Sequence, residues 1–278
     1  MHDQVLKSDH ALEVAEARRF EFGKNWAAFL RELDEERVED AMKSLRDMLG
    51  VDDLTGCRFL DIGSGSGLFS LAARRLDATV VSFDYDPASV TCTQQLKQRF
   101  FPQDPLWTID TGSALDRAYL ERLGQYDIVY SWGVLHHTGN MWQALENAIM
   151  PCKKGGLLYI AIYNDQGSTS QKWAAIKRLY NRAPRFCKFL LVLFFWIYFV
   201  SKHSVARATR FENPFSLHRS DRGMSWFRDV VDWVGGHPFE VARPEKIFDF
   251  YRARGFRLIR LKTERGHGCN EFVFQREL

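Results

Sequence analysis

The chain has 278 residues, with 38 Lys and Arg against 35 Asp and Glu and a formal charge of +3 at pH 7. That length supports one catalytic domain with a sizeable interior, and the interspersed charges leave no basic tail or stripe of the kind that announces a nucleic-acid partner. Five cysteines, an odd number without CxxC spacing, argue against a disulfide framework and a zinc site, so the expectation is a cytoplasmic protein with no metal.

Met1 to Arg19 is charged and has no apolar stretch resembling a signal peptide. From Ala11 to Leu49 apolar residues recur at helical spacing (Phe29, Leu30, Leu33, Val38, Met42, Leu45, Met48), which predicts helices that stop at Gly50 and the Asp52-Asp53 pair. Over the next hundred or so residues short apolar runs alternate with amphipathic stretches, the pattern of βα units feeding a parallel sheet. Strands are expected near 58–62, 79–83, 106–109, 127–131 and 157–163, and helices near 68–75, 87–99, 115–123 and 141–150. From Gly167 to Gly236 the alternation stops and the chain becomes aromatic and basic, including a loop over 210–224; this reads as an insertion covering the active edge of the sheet. A helix over 244–254 and strands over 257–262 and 271–275, the two strands joined by the Gly-containing loop 263–270, complete the pattern. The expected organisation is a helical cap over 1–50, an α/β core over 51–166, a lid insertion over 167–236 and a C-terminal helix and hairpin over 237–278.

Within this pattern the predicted first strand, Phe59-Leu60-Asp61-Ile62, runs into Gly63-Ser64-Gly65-Ser66-Gly67 just before a helix. Glycines there let the backbone turn sharply and let a ligand approach without meeting a Cβ. A dinucleotide loop needs G-x-G-x-x-G; counted from Gly63 the third glycine falls on Leu68, and from Gly65 on Ser70, so that pattern fails in both registers. Asp61 repels a pyrophosphate and welcomes an ammonium group. S-adenosylmethionine (SAM) carries such an ammonium and no phosphate. Seventeen residues after Gly67, Asp84 stands at the tip of the second strand, where a carboxylate can accept both ribose hydroxyls; Asp86, directly before Pro87, suits a helix N-cap instead.

FLDIGSGSG over 59–67, SFDYDP over 82–87, Gly112-Ser113-Ala114, YDIVYSWGVLHH over 126–137 and Lys153-Lys154-Gly155-Gly156 resemble, in order, the successive motifs of the class I SAM-dependent methyltransferases. The likeness runs from Cys57 to Tyr163 and is greatest to the branch with small-molecule enzymes of the ubiquinone type. It implies an α/β, Rossmann-like seven-stranded sheet with an antiparallel last strand, here with N-terminal helices and a helical lid insertion. It also implies SAM as cofactor and S-adenosylhomocysteine as its product. On that resemblance Asp61 and the Gly63, Ser64, Gly65 and Gly67 loop face the methionine end, Asp84 the ribose, and Ser113-Ala114 the adenine. Tyr85, Ser131 and Trp132 complete the expected cofactor contacts. The family commonly has an acidic residue where Ser113 stands and a proline where Lys154 stands; the first departure leaves adenine recognition to backbone groups and Ala114.

The family's acceptor binds above the ends of the fourth and fifth strands, where 131–138, 163–167 and 263–270 converge. Methyl transfer at a sulfonium carbon mainly asks the protein to align the nucleophile, and a base helps when the acceptor is a hydroxyl or a protonated amine. His136 and His137 follow the fourth strand and Asp165 the fifth, which makes a His–Asp pair the candidate base and orienter. Adjacent side chains diverge on a helix, so one histidine is expected to pack; His137 is favoured as the chemical one. Tyr163, Asn164 and Gln166 are candidate acceptor ligands, with a plain turn as the alternative for Asn164-Asp165. Phe22-Gly23-Lys24-Asn25-Trp26 interrupts the N-terminal helices; Lys24 either meets the SAM carboxylate or is an ordinary solvated lysine. His237, Glu240, His267, Asn270 and Glu271 flank the upper sheet edge, where salt bridges or hairpin contacts explain them equally well.

Phe189 to Val200 (FLLVLFFWIYFV) is twelve residues without a charge, bracketed by Arg182, Arg185 and Lys188 and by Lys202 and Arg207. A helical span needs roughly 20 apolar residues, so this run reads as too short to cross a bilayer. Three readings stand: a buried lid helix, favoured because helices apolar all round are normally core; an interfacial helix making peripheral membrane contact through Trp196 and Tyr198, which implies a lipid-linked acceptor; and a dimer contact. The function these features point to is methyl transfer from SAM to O, N or C of a small-molecule or lipid-like acceptor. The rival is a nucleic-acid (RNA) methyltransferase, against which no Asp/Asn-Pro-Pro-Tyr/Phe tetrapeptide stands at SWGV and no basic aromatic module is appended. Oligomeric state is left open.

Overall fold

The computed structural model of the chain describes residues 2–208, 226–264, 266 and 268–277; the expected 210–224 loop and His267 lie outside the described residues. Seven strands form one sheet: β1 (Arg58–Ile62), β2 (Thr79–Asp84), β3 (Trp107–Thr111), β4 (Tyr126–Trp132), β5 (Cys152–Tyr163), β6 (Phe256–Lys262) and β7 (Cys269–Arg276). Their order is β3-β2-β1-β4-β5-β7-β6, with β1 to β5 parallel and β7 antiparallel to both its neighbours. The order reverses between β1 and β4, so the loops leaving those two strands diverge and open a crevice at the carboxyl end of the sheet.

Three helices precede the sheet, α1 (His2–Ala15), α2 (Phe22–Glu32) and α3 (Glu35–Leu49). α3 starts where the Asp34 side chain accepts from the Arg37 N–H at 3.0 Å and stops at Gly50, whose φ of 70° is the left-handed conformation of a helix C-terminus. The crossovers are α4 (Leu68–Arg75), α5 (Pro87–Phe100), α6 (Arg117–Leu123) and α7 (Met141–Asn147). Phe59, Leu60 and Ile62 of β1 are all buried because helices cover both faces, the reason a central parallel strand reads as a continuous apolar run. One core lies between the sheet and α3–α4, around Leu45, Phe59, Leu71 and Tyr159; the other lies on the opposite face, around Leu60, Val129, Leu145 and Phe274.

Element edges differ from expectation in one informative place. β5 begins at Cys152, five residues early, because 153–156 stays in the sheet, and the register with β4 jumps between Tyr126↔Cys152 and Ile128↔Leu157. The small Gly155-Gly156 step absorbs that bulge.

The lid insertion is helical: α8 (Ser168–Arg182), α9 (Arg185–Ala208) and α10 (Trp226–Gly235), followed by α11 (Pro244–Arg252). A third cluster, centred on Trp173, Tyr180, Val192, Val230 and Val234, ties α8, α9 and α10 together. The favoured expectation of a buried helix at 189–200 is corrected here. Only one stripe of α9 packs inward, while Phe186 (71 % exposed), Phe194 (63 %), Phe189, Leu190, Ile197 and Tyr198 face outward. The expectation that the run is too short to cross a bilayer is corrected too, since the helix continues past the apolar run and 185–204 is by length and composition enough to cross a membrane.

Candidate functional site

A cavity of about 500 Å³ occupies the crevice above β1, β2 and β4. Its floor is the loop after β1. Gly63 and Gly65 have φ of 80° and 56°; a Cβ on Gly63 would lie 2.3 Å from a Val134 methyl and one on Gly65 3.1 Å from the Trp26 ring. The loop is pinned from behind: Gly63 and Ser64 N–H groups donate to the Phe83 carbonyl at 2.9 and 3.0 Å, and Gly65 N–H donates to Asp84 Oδ2 at 2.9 Å.

Two carboxylates face this loop. Asp61 is buried and accepts from Ser70 Oγ at 2.5 Å; Ser70 and Ser82 hydroxyls are 2.7 Å apart, and Trp107 Nε1 donates to Ser82 Oγ at 2.9 Å. An indole N–H donates at one end and a carboxylate accepts at the other, so Ser82 can donate to Ser70 and Ser70 to Asp61. Burial pushes Asp61 up to about 7 against the pull of the Ser70 hydrogen bond, with the Asp84 charge adding to the rise. Asp84 is likewise pushed up to about 7, by burial and then by Asp86, while hydrogen bonds from the Asp86 and Gly65 N–H groups oppose it. Asp86 is the N-cap of α5, accepting from Ala88 N–H at 2.9 Å.

Across the cavity Arg37 supplies the opposite charge. Its Nη1 donates to Asp34 Oδ2 at 3.1 Å and to the Glu32 carbonyl, and its buried Nε has no hydrogen-bond partner among the described residues. Ala114 and Leu115 give an apolar wall at the third corner. Carboxylates for an ammonium and a ribose, a spare guanidinium donor for a carboxylate and an apolar slot for a base fit an amino-acid-bearing nucleoside, so the residues present suit SAM. The roof comes from the N-terminal cap. Arg19 pairs with Glu13 at 2.5 Å, donates to the His137 carbonyl at 3.0 Å and lies 4.8 Å from the Tyr85 ring centre, while His10 meets that ring edge-on at 5.4 Å.

His137, on the short 3₁₀ turn 135–137, stands at the far end of the cavity. Its Nδ1 is 2.6 Å from the Pro238 carbonyl, which can only accept, so Nδ1 carries the proton and Nε2 is the basic nitrogen. The Phe22 and Tyr163 rings pack 4.8 and 5.3 Å from it, centre to centre. Asp232 of α10 lines the same end and accepts from Asn25 Nδ2 at 2.5 Å.

Of the residues singled out from sequence, Asp61, Gly63, Ser64, Gly65, Asp84, Tyr85, Ser113, Ala114, Trp132, His137 and Tyr163 line this cavity. The others do not. Gly67 caps α4 and packs on Thr93, and the Ser131 hydroxyl is buried, donating to the Ile62 carbonyl at 2.9 Å. Lys24 points to solvent, paired with Glu21 at 2.6 Å. His136 is fully buried, its Nδ1 accepting from Tyr163 N–H at 3.4 Å and its carbonyl from Glu240 N–H at 3.0 Å, so it braces Tyr163. Asp165 accepts from Gly167 N–H at 2.8 Å and sits 3.9 Å from Arg243; the group on His137 Nδ1 is the Pro238 carbonyl instead. Asn164 and Gln166 border a separate cleft of about 10 Å³, shared with Tyr163 and Trp173, with Asn164 also donating to the Glu264 carbonyl at 3.1 Å. Asp232, Arg37, Arg19 and His10 were not legible as site residues, because each reaches the cleft from a helix or cap whose docking the local sequence does not encode; Phe22 and Trp26, from the 22–26 segment, also line the cavity.

Comparison with known proteins agrees with this geometry. Residues 27–210, more than half of the chain, match the family described as "Methyltransferase domain". A ubiquinone biosynthesis O-methyltransferase of Brucella melitensis is 29 % identical over 111 residues, 40 % of this chain and 43 % of the relative, so the match spans less than half the length of that curated protein. Magnesium protoporphyrin IX methyltransferase from Synechocystis PCC 6803, solved with bound SAH, superposes with a TM-score of 0.52 at 15 % identity over 87 % of this chain and 83 % of its own. An O-methyltransferase family protein from Burkholderia thailandensis gives 0.54 at 15 % identity, covering 99 % and 70 %. At such identities the two structures share the fold.

Proposed function

Because the chain belongs to the family of methyltransferase domains, we propose that it moves a methyl group from SAM to O, N or C of a small-molecule acceptor entering beside His137. The single observation that carries this reading is the cleft that joins Asp61, Asp84 and Arg37 to His137 in one continuous cavity. When bound, SAM supplies a methyl group on a sulfonium that leaves as a neutral thioether. The chain's own work is placement: Asp61 takes the ammonium, Asp84 the ribose hydroxyls and Arg37 the carboxylate, while the glycine loop admits the ligand against the backbone. His137 Nε2 takes a proton from the acceptor, and the Pro238 carbonyl on Nδ1 holds the ring in place and steadies the imidazolium that results.

The test has two parts. Calorimetric binding of S-adenosylhomocysteine should vanish in Asp84→Asn, and stabilisation by NAD but not by S-adenosylhomocysteine would sink the reading. Transfer of labelled methyl from SAM into the small-molecule fraction of a cell extract should fall by about 10²–10⁴-fold in His137→Gln, with cofactor affinity changed less than about twofold.

The same proposal extends to where the protein works: peripherally, on the cytoplasmic face of a membrane, on a lipid-like acceptor. The support is α9 and its surroundings. Between Gln166 and Ser204 the chain has seven Lys and Arg and no Asp or Glu, and Lys172, Arg178, Arg182, Arg185 and Lys202 are exposed beside the outward apolar face. An anionic bilayer complements both features, each basic side chain near the surface being worth about 1 kcal/mol. Spanning is disfavoured, since Val192, Phe195 and Phe199 are committed to α8 and α10. Phe186→Glu with Phe194→Glu should abolish sedimentation with phosphatidylserine vesicles while leaving the melting temperature unchanged; equal sedimentation of the double variant would remove the membrane from the proposal.

A further inference from the structure

The N-terminal cap brings to the Asp84 end of the cleft a buried histidine that methyl transfer as described does not employ. Among the described side chains of α1 only Leu6 and His10 are buried; they lie one helical turn apart, and both line the cavity. The inner face of this helix is therefore a wall of the site. A hydrocarbon would serve packing there better than an imidazole, for His10 is 7 % exposed and its Nε2 has no hydrogen-bond partner among the described residues. Burial, against the pull of the Asp86 charge, pushes His10 below the ordinary histidine value, so the ring is neutral at pH 7 and has one N–H to give.

The surroundings decide where that N–H stands. His10 Nε2 lies 3.8 Å from Asp86 Oδ2, beyond hydrogen-bond reach, and the two Asp86 oxygens already accept from the Gly23 and Ala88 N–H groups at 2.8 and 2.9 Å. A carboxylate at that distance favours the proton on Nε2, and the edge-on contact with the Tyr85 ring, 5.4 Å between centres, holds the imidazole in place. The backbone donors nearest Asp84 are committed to its carboxylate, Gly65 N–H on Oδ2 and Asp86 N–H on Oδ1, both at 2.9 Å. A ribose hydroxyl that gives its proton to Asp84 keeps two lone pairs, which can accept from a donor elsewhere in the wall.

We propose that His10 is a cofactor-binding residue: its Nε2–H donates to the oxygen of a ribose hydroxyl whose own proton goes to Asp84, and α1 is thereby fastened over the nucleoside. This rests on the cleft being the SAM site.

Calorimetry on the full chain with S-adenosylhomocysteine and its 2′-deoxy and 3′-deoxy forms separates this from a merely structural role. His10→Leu fills the buried position with hydrocarbon and should leave the melting temperature of the unliganded protein unchanged or higher, yet weaken S-adenosylhomocysteine about tenfold. One of the two deoxy forms, having lost the hydroxyl that His10 holds, should be weakened less than about twofold by the same substitution. His10→Gln keeps an N–H and should stay within about threefold of wild type for all three ligands. An equal loss for all three ligands in His10→Leu, no loss for S-adenosylhomocysteine, or a His10→Gln variant as weak as His10→Leu would each overturn the proposal. The two levels stay apart in the same samples: a wild type that binds none of the three defeats the SAM reading itself, and tight binding without the expected selectivity defeats the role of His10 alone.

Discussion

The two carboxylates assigned to the cofactor make its binding a proton-linked event. Asp61 and Asp84 are both pushed up to about 7 in the free cleft, yet each must be ionised to accept from an ammonium or from ribose hydroxyls. A group of that kind is ionised in about one molecule in ten at pH 6 and in about nine in ten at pH 8. S-adenosylhomocysteine affinity should therefore rise about tenfold between those values if one ionised carboxylate suffices, and toward about a hundredfold if both are needed, or about 1.4 to 2.7 kcal/mol. The sign for the free protein is opposite. Because the folded values lie above the unfolded ones, the folded state holds extra protons between about pH 4 and pH 7; the stability this contributes is full below about pH 4 and is lost as pH rises through about 7. The increment in melting temperature given by a fixed S-adenosylhomocysteine concentration should consequently grow with pH. Calorimetry at pH 6 in buffers of different ionisation enthalpy should count between one and two protons released per ligand. Affinity flat from pH 5.5 to 8 with no proton release would refute the assignment of both carboxylates.

Removing the hydroxyl that favours the ionised form, in Ser70→Ala, should move the midpoint of that pH profile upward while the plateau above pH 8 stays within about twofold, read by the same titrations. Arg37→Ala should weaken S-adenosylhomocysteine by about 10- to 100-fold, the range for a hydrogen bond to a charged group, whereas Lys24→Ala should change it less than about twofold in the same calorimeter. Gly63→Ala combines a φ of 80° with a Cβ 2.3 Å from a Val134 methyl, and thermal denaturation should show about 1–3 kcal/mol of lost stability together with lost cofactor binding.

How far the sequence reaches into this site follows from the distance between a residue and what it touches. Asp61, the glycine loop and Asp84 are legible because strand end, turn and helix start are contiguous, so local rules for backbone freedom and charge place them. Asp86 shows the same rule at one residue's resolution, since a proline directly after it marks the cap. Lys24 and Arg37 show where the rule ends: they lie on α2 and α3, and only the way those helices dock decides that the guanidinium faces the cleft and the ammonium faces water. The His–Asp pair fails for a related reason. Asp165 follows the strand next to that of His137, but 101 residues separate His137 from the carbonyl on its Nδ1. The insertion brings Pro238 into a place that strand order alone would give to Asp165.

The apolar run exposes a different limit, because burial of a helix is a property of its surroundings. Phe194 and Phe195 are adjacent, with ring centres 5.2 Å apart, yet Phe194 faces out and Phe195 packs 5.0 Å from Trp173. From Trp173 ring contacts continue inward, 5.3 Å to Trp233 and a further 5.3 Å to Tyr163, which borders the acceptor end of the cleft. The outward-facing helix α9 and the Tyr163 side of the cleft are therefore joined by one run of ring contacts, and a close-packed interior transmits strain along such a run. Against that run the fold sets Lys177, fully buried, 4.6 Å from the Trp233 ring centre and 4.7 Å from that of Phe239. A cation held by ring faces fixes how those rings lie against each other. Substitutions on the outer face of α9 should accordingly act on membrane attachment alone, while changes at Phe195 or Trp173, on the inner face, reach Tyr163 and hence the acceptor.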